Sequence, residues 1–474
     1  MNKESISERV IESISLEFFG ARLGDDRRRD RLCAISEALA ANPDLSLPEA
    51  LGGEATLEGA YRFFSNPSVS WEHVLKPHID QTICRLIDTK EAIVIHDTTE
   101  FCFPGEAERE GLGRLRGKKT KGFFCHLSFA LDRSDTPIPL GVVNLAPFRR
   151  LGKKKRNQTS KQRREDKSKE SIRWLNSIEE VESKVSGKKK LIHVTDREGD
   201  FYELIAGLVQ KNRGFVIRLA HDRRLLDEEK GTLFELMNNA SWICEREVTL
   251  SARKDGWAPQ MKRRHPGRKS RVTTLSFSST QVTLRRPVSA LEELPSVLTV
   301  NVVRVRELSP PEGCEPVEWR LITSEPIIRE EETLRVVDIY RSRWIIEEYF
   351  KAIKTGCRYE EKQLESYHSL MNALAVFLPI AWKLLLLRSL ERSAPEEPAN
   401  RILNDDQLPI LRAISKKTIP ENPTVKDIFQ AIAGLGGHIK NNGVPGWQVL
   451  WRGYQKFLTF ETGWNAAMRK YDQS

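Results

Sequence analysis

The run from Leu370 to Leu387, LMNALAVFLPIAWKLLLL, limits the fold more than any other part of the chain. Apolar side chains at this density have to leave water, either in a bilayer or in a protein core. Lys383 and Pro379 lie inside the run, with Asn372 near its start. At a length close to the minimum for a membrane span, an internal Lys and Pro favour a buried core helix over a transmembrane one. A chain of 474 residues has room for such a core, since it corresponds to about three domains at roughly 150 residues each. With 39% hydrophobic and 30% charged residues the composition is that of a globular protein. Met1 to Arg9 is polar and no apolar stretch follows, so no signal peptide is expected. The seven cysteines are scattered, odd in number and never spaced CxxC, which argues against a disulfide scaffold and against Cys-ligated zinc. The expectation is a reduced, cytoplasmic setting with no membrane partner. The net charge of +10 favours a polyanionic partner.

The first 75 residues read as helical: Leu23, Leu32, Ile35 and Leu39 recur among arginines, Asn66-Pro67 marks a break, and Ser70 before Trp71 and Glu72 suits a new helix start. Strand-like runs follow at Ala92–His96, Phe123–Leu131, Gly141–Leu145 and Leu191–Thr195, the last leading into a helix over Phe201–Lys211. That succession predicts an α/β core. From 214 to 325 the pattern is β-like, at Phe215–Leu219, Trp242–Leu250, Val272–Phe277, Val282–Arg285, Val297–Val305 and Trp319–Thr323, with one short helix at Thr232–Asn238. This is a mainly antiparallel β region inserted in the α/β core. Helical pattern returns from Arg335 to about Ser393, residues 394 to 423 contain a linker, and a last helical part from Thr424 is broken at Gly434–Gly437 and Asn441–Gly446. The divisions expected are 1–72, 73–393 with the β insertion over about 222–325, and 394–474. Arg149 to Arg173 holds twelve Lys or Arg against three carboxylates, and such a run is either solvated or a phosphate-binding stretch.

Two carboxylates stand at the ends of apolar strands, Asp97 after Ile93-Val94-Ile95-His96 and Asp196 after Ile192-His193-Val194-Thr195. Paired there, they could share one or two hard divalent cations; taken singly, each is equally a turn or helix-cap residue. A third carboxylate changes the balance. On a helix at about 100° per residue, Tyr340, Arg343, Glu347, Lys351 and Lys354 fall within an arc of roughly 80°. Ile339, Ile346, Tyr349, Phe350 and Ile353 fall on the opposite, core-facing side, and Glu348 lies off the basic face, leaving Glu347 as the candidate ligand. An ordinary amphipathic helix with an i,i+4 pair accounts for Glu347 and Lys351. It does not account for so many side chains suited to phosphates or bases on one face.

The spacing Tyr340-x2-Arg343-x3-Glu347-x6-Lys354 resembles the Y-R-E-K signature of bacterial DDE-type cut-and-paste transposases of the insertion-sequence-four group, to which the transposase of transposon five belongs. Asp97-Thr98-Thr99 and Asp196-Arg197-Glu198-x-Asp200 resemble the first and second acidic motifs of that group. Leu23-Gly24-Asp25-x-Arg27-Arg28-x2-Arg31-Leu32 and Glu58-Gly59-Ala60-Tyr61-Arg62-Phe63 resemble its N-terminal DNA-binding part, and Leu435-Gly436-Gly437 and Gly446-Trp447-x2-Leu450-Trp451-x-Gly453 its C-terminal part. The likeness covers nearly the whole chain in motif order.

The resemblance implies an RNase H-like catalytic core carrying a β insertion, flanked by helical N- and C-terminal domains. It implies that Asp97, Asp196 and Glu347 hold two Mg2+ ions, with Mn2+ able to substitute, for in-line phosphoryl transfer. The reaction implied is nicking of the transposon end, hairpin formation, hairpin opening and joining of the 3′ end to target DNA. Tyr340, Arg343, Lys351, Lys354 and Arg218 would contact DNA, and Trp319 would offer a platform for a flipped base; on its own, Trp319 is equally a half-buried strand residue. Arg27, Arg28, Arg31 and Arg62 would bind the terminal inverted repeat. The partners implied are double-stranded DNA and a second copy of the chain, in a bacterial cytoplasm at the nucleoid. Two other readings stay open on the carboxylates alone: a two-metal nuclease that cuts without joining, and a DNA-binding regulator without catalysis.

Overall fold

The computed structural model describes residues 12–104, 109–115, 120–151, 172–227, 231–250, 252, 267–393, 395–439 and 445–471. Met1 to Arg9 and most of the basic stretch, 152–171, lie outside the described residues. After a 3₁₀ turn at Ile14–Glu17 come α1 (Asp26–Ala41), α2 (Leu47–Leu51), α3 (Glu54–Ser65) and α4 (Trp71–Asp88). Their starts are set by side-chain caps: Asp25 accepts from the Arg27 amide, Ser46 and Glu49 form a capping box, and Ser70 accepts from the His73 amide. Leu32, Ile35 and Leu39 are buried, as their spacing predicts.

The sheet is built from β1 (Ala92–Cys102), β2 (Gly113–Arg114), β3 (Lys121–Asp132), β4 (Pro139–Phe148), β5 (Leu191–Thr195), β6 (Gly214–Arg218), β7 (Cys244–Leu250), β8 (Arg271–Arg285), β9 (Val297–Arg306) and β10 (Glu318–Thr323). Helices α5 (Ile172–Val185), α6 (Tyr202–Gln210) and α7 (Leu233–Asn239) lie between strands. The strand order is β2-β3-β1-β5-β6-β10-β9-β8-β7, with β4 also on β3. β1 is antiparallel to β3 and parallel to β5, and β5 is parallel to β6. The order β4-β3-β1-β5-β6, flanked by helices on both faces, is the RNase H-like core. The β region expected as an insertion is present, but it does not stand apart: β10 pairs antiparallel with β6, so β7 to β10 prolong the core sheet. The two short strands expected around residues 272 and 285 are one strand, β8, because β9 pairs with it without a break from Ser276 to Arg285 and bridges the Ser278–Gln281 stretch whose polar residues suggested a turn.

The helical stretch expected from Arg335 begins earlier and is interrupted. It comprises α8 (Glu330–Ser342), α9 (Trp344–Lys351), a π turn at Ala352–Gly356 and, after a 3₁₀ turn at Tyr359–Glu361, α10 (Tyr367–Ser393). The stretch expected to hold a linker also contains α11 (Gln407–Ile414). Helices α12 (Val425–Leu435) and α13 (Trp447–Tyr471) close the described chain.

Helix α10 is long and apolar enough to cross a membrane, yet its most apolar window is wholly buried in the protein. Its polar residues explain why. Asn372 Nδ2 donates to the Phe64 and Val69 carbonyls at 2.9 and 3.0 Å, tying α10 to the N-terminal helices. Lys383 is buried near Glu17, whose carboxylate accepts from Arg85 and from His78 Nδ1 at 2.6 Å. His78 Nε2 in turn accepts from the Val142 amide at 3.2 Å, which leaves the proton on Nδ1. Burial opposes ionisation of Glu17, but Arg85, His78 and Lys383 outweigh it and hold the carboxyl down at about 2. The linkage has a definite sign: a depressed carboxylate contributes stability above its unfolded value near 4.5 and loses it as pH falls toward 2. At pH 7 Glu17→Gln should cost about 3 kcal/mol, because it leaves buried cations unpaired. Between pH 5 and 3 the wild-type melting temperature should fall more steeply than that of the variant, as thermal denaturation across pH would show.

Candidate functional site

Asp97 and Asp196 are brought together by the parallel pairing of β1 with β5. The last paired register is His96 with Thr195, so both aspartates follow it on neighbouring strands. Their surroundings differ. Asp97 is not at the end of β1, as the apolar run suggested, but inside it, because β3 continues to pair with β1 as far as Cys102. Asp196 leaves the sheet and caps the 3₁₀ turn Arg197–Gly199, its Oδ1 accepting from the Glu198 amide at 2.8 Å. The cap reading of Asp196 is thus met, and the residue still stands beside Asp97.

The third side of the site comes from the break between α8 and α9. Arg343 sits at the break with its amide bonded to the Tyr340 carbonyl at 3.1 Å. Its Nη1 donates to Asp97 Oδ2 at 2.9 Å and to Glu347 Oε1 at 3.4 Å. Burial works against its charge, while Tyr340, Asp97, Glu347 and Asp196 together overcome that and strengthen its hold on the proton. These are four of the residues singled out by motif and helix phase, converging on one guanidinium. Glu348 points elsewhere and pairs with Arg392 at 3.6 Å on α10. The core-facing residues Ile339, Ile346, Tyr349, Phe350 and Ile353 are buried as their phase predicts.

Beside the carboxylates lies an aromatic pair. Trp319 on β10 meets Tyr340 edge-on, with ring centroids 5.7 Å apart at 65°. Tyr340 is buried, so it faces Trp319 rather than the open side of its helix. Arg218, the last residue of β6, donates to the Glu318 carbonyl at 3.3 Å, next to Trp319. Burial and the neighbouring Arg218 loosen the proton of Arg197, which also feels Tyr340 and Asp196. Arg197 therefore belongs to this cluster; the second acidic motif contains it, but nothing in its spacing marked it as a contact. Trp344, which follows Arg343 directly, is 64% exposed.

The other candidates are placed less closely. Lys351 is exposed at the end of α9, and Lys354 in the π turn lies 5.5 Å from the Phe101 ring centroid. Asp200 of the second acidic motif is buried and structural, receiving the Ala220 and His221 amides and pairing with Arg223. In the N-terminal helices Arg27 and Arg62 are exposed, Arg31 lies across Gly59, and Arg28 donates to the Leu23 carbonyl at 2.9 Å.

Three carboxylates against the guanidinium of Arg343, with that of Arg197 beside Asp196, leave the site short of positive charge. The shortage shows in Asp97: burial, then Asp196, and further Glu347 push its carboxyl up to about 7 against the pull of Arg343. An all-oxygen donor set with surplus negative charge fits a hard divalent cation. Among the described residues no three His, Cys, Asp or Glu side chains already close into a ligand cluster. Arg343 bonds one oxygen of Asp97 and one of Glu347.

An RNase H-like sheet that sets two aspartates just past the last paired register of adjacent parallel strands is suited to metal-dependent phosphodiester chemistry. Sequence comparison makes the class specific. The chain matches a transposase DNA-binding family over residues 12–69, a transposase DDE domain over 147–378 and a Tn5 transposase dimerisation domain over 379–474. With these three parts in order, the chain is a DDE transposase: it binds DNA, forms homodimers and depends on a divalent metal. Asp97 falls between the first two matches, so its place in the site rests on the structure. A solved structure, the cryo-EM structure of the piggyBac transposase synaptic complex with hairpin DNA, is similar at 10% identity over 99% of this chain and 81% of that one, with a TM-score of 0.38.

The raised Asp97 carboxyl destabilises the metal-free fold above pH 7, and the penalty fades as pH falls toward the ordinary value of 3.8. In EDTA at pH 8, Asp97→Asn should therefore stabilise the protein by on the order of 1–2 kcal/mol. The gain should shrink steadily between pH 7 and 4, read as the difference in melting temperature.

Proposed function

We propose that the protein is a cut-and-paste transposase of the insertion-sequence-four group. It binds the terminal inverted repeats of its element, nicks the ends, forms and opens a hairpin and joins the 3′ ends to target DNA. The observation that carries this reading is the Trp319–Tyr340 aromatic pair beside the Arg343-linked carboxylates. Hydrolysis alone needs no aromatic slot next to the reacting phosphate. A hairpin bends the strand so tightly that a base has to leave the stack, at a few kcal/mol, and stacking on an aromatic side chain offsets ~1–3 kcal/mol of that.

In this reading Asp97, Asp196 and Glu347 hold two Mg2+ ions, replaceable by Mn2+. When bound, the ions supply charge stabilisation at the phosphoryl group and a more acidic attacking hydroxyl. Arg343, displaced from Asp97 on loading, turns its donors to a DNA phosphate. Arg197 and Arg218 line the approach to the aromatic pair, and Lys351 and Lys354 hold backbone phosphate further along the helix. Arg27, Arg28, Arg31 and Arg62 in the first 72 residues contact the inverted repeat. Residues 73–393 form the catalytic unit, the sheet extension over about 222–325 carries Trp319, and residues 394–474 join the copies. An apolar stripe on α13 supports that last role: Phe460, Trp464 and Met468, one turn apart, are 51%, 47% and 46% exposed.

The test is a denaturing gel of purified protein, Mg2+ and duplex carrying the element's own ends. Wild type should give a nick and then a hairpin; Glu347→Ala and Asp97→Ala should give neither while still shifting the duplex in a native gel. Trp319→Ala should keep nicking and lose hairpin at least tenfold, matching the stacking energy above. Nicks without any hairpin in wild type would move the reading to a two-metal nuclease or to a hairpin-free transposase. Separately, Trp464→Glu should convert dimers to monomers in sedimentation without lowering the melting temperature of the monomer.

A further inference from the structure

Directly behind the two aspartates the sheet contains a chain of polar side chains in an otherwise apolar layer. His96, His193 and Ser128 are buried, and His96 precedes Asp97. Glu182 on α5 bonds His193 Nε2 at 2.8 Å, His193 Nδ1 bonds His96 Nε2 at 2.9 Å, and His96 Nδ1 bonds Ser128 Oγ at 2.9 Å. The chain thus runs from α5 across β5 and β1 to β3, perpendicular to the strands. Its direction follows from its end. A carboxylate only accepts, so His193 Nε2–H donates to Glu182, His193 Nδ1 accepts from His96 Nε2–H, and His96 Nδ1 accepts from Ser128 Oγ–H. Every ring nitrogen is satisfied by one arrangement of protons.

Its position matters more than its direction. Parallel pairing of β1 with β5 stops at His96 and Thr195, and the next residues are Asp97 on one strand and Asp196 on the other. Beyond that register no backbone pairing between these strands holds them at a set distance. The imidazole–imidazole bond crosses diagonally from His96, in that last register, to His193, which faces Val94 two residues earlier, and so ties the strands together over their final paired residues. We propose that the Ser128–His96–His193–Glu182 chain is a positioning device that braces the last paired residues of β1 and β5, and so holds the separation at which Asp97 and Asp196 leave the ladder for metal binding. This rests on the reading of those two aspartates as metal ligands. The four residues are positioning residues; none reaches substrate or metal.

Partners that orient metal ligands from behind typically change affinity 10–100-fold when removed. The experiment is a Mn2+ titration of the full-length protein on its end duplex, following free Mn2+ by electron paramagnetic resonance, with thermal melting of every variant. The double variant His96→Phe, His193→Phe replaces both bonded rings by apolar rings of similar shape, a change that can be nearly neutral for stability. It should melt close to wild type yet bind Mn2+ at least tenfold more weakly. Glu182→Leu, at a part-exposed helix position, should show the same loss, while Glu182→Gln, which keeps an acceptor, should bind within about twofold of wild type. If folded variants bind Mn2+ as wild type does while Asp97→Ala has lost it, the chain is only core packing and the proposal is overturned. Wild-type affinity in Asp97→Ala would instead overturn the metal assignment itself, and the proposal with it.

Discussion

Parallel pairing of β1 with β5 is the constraint on which the site depends. It joins segments about a hundred residues apart and ends at His96 and Thr195, so that Asp97 and Asp196 emerge side by side. A parallel ladder needs a crossover, and here the intervening chain supplies β2, β3, β4 and α5. Those elements become the flanks of the aspartates: β3 extends β1 past Asp97, and α5 brings Glu182 beneath β5.

The second organising element is α10. A helix apolar all round has to be covered on every side, and the sheet covers only one. The N-terminal helices cover another, held by Asn372 and by the Glu17, Arg85, His78 and Lys383 cluster. Arg85 also stacks 4.3 Å from the Trp382 ring. Through α10 the DNA-binding and catalytic parts share one core, and the polar residues that interrupt the apolar run join them. The C-terminal part joins the same assembly, with Trp451 Nε1 donating to the Ala40 carbonyl and Tyr454 to that of Glu12.

The site itself is not at an electrostatic minimum. Asp97 is held near neutrality at about 7 by burial and by its carboxylate neighbours, with Arg343 as local counter-charge. Buried acidic clusters are costly unless a cation completes them. The Arg343 guanidinium, bonded to Asp97 and Glu347, is the cation that partly offsets this cost in the structure. Arg343, at the junction of α8 and α9, keeps helical dihedrals (φ −51°, ψ −30°), so it shares a face with Glu347 one turn on while reaching across to Asp97.

Local pattern carried much of this fold. The apolar run became α10, the strand runs at 92, 123, 141, 191 and 214 became strands, and the helix phase separated Glu347 from Glu348 and buried the expected face. These follow from periodicities of two and of 3.6 residues, which a sequence displays directly. What tertiary structure decided was long-range. It merged two short runs into β8, joined the β region to the core sheet through β10 and β6, and placed Trp319 against Tyr340. It also made bonded partners of His96 and His193, polar residues inside two apolar strands, and brought Arg197 beside Asp196 and Tyr340. Which strand lies beside which, and how far a charge is removed from water, are set by contacts between residues far apart in the chain. No local period encodes them, so the residue types of the site were legible in the sequence and their partnerships and charge states were not.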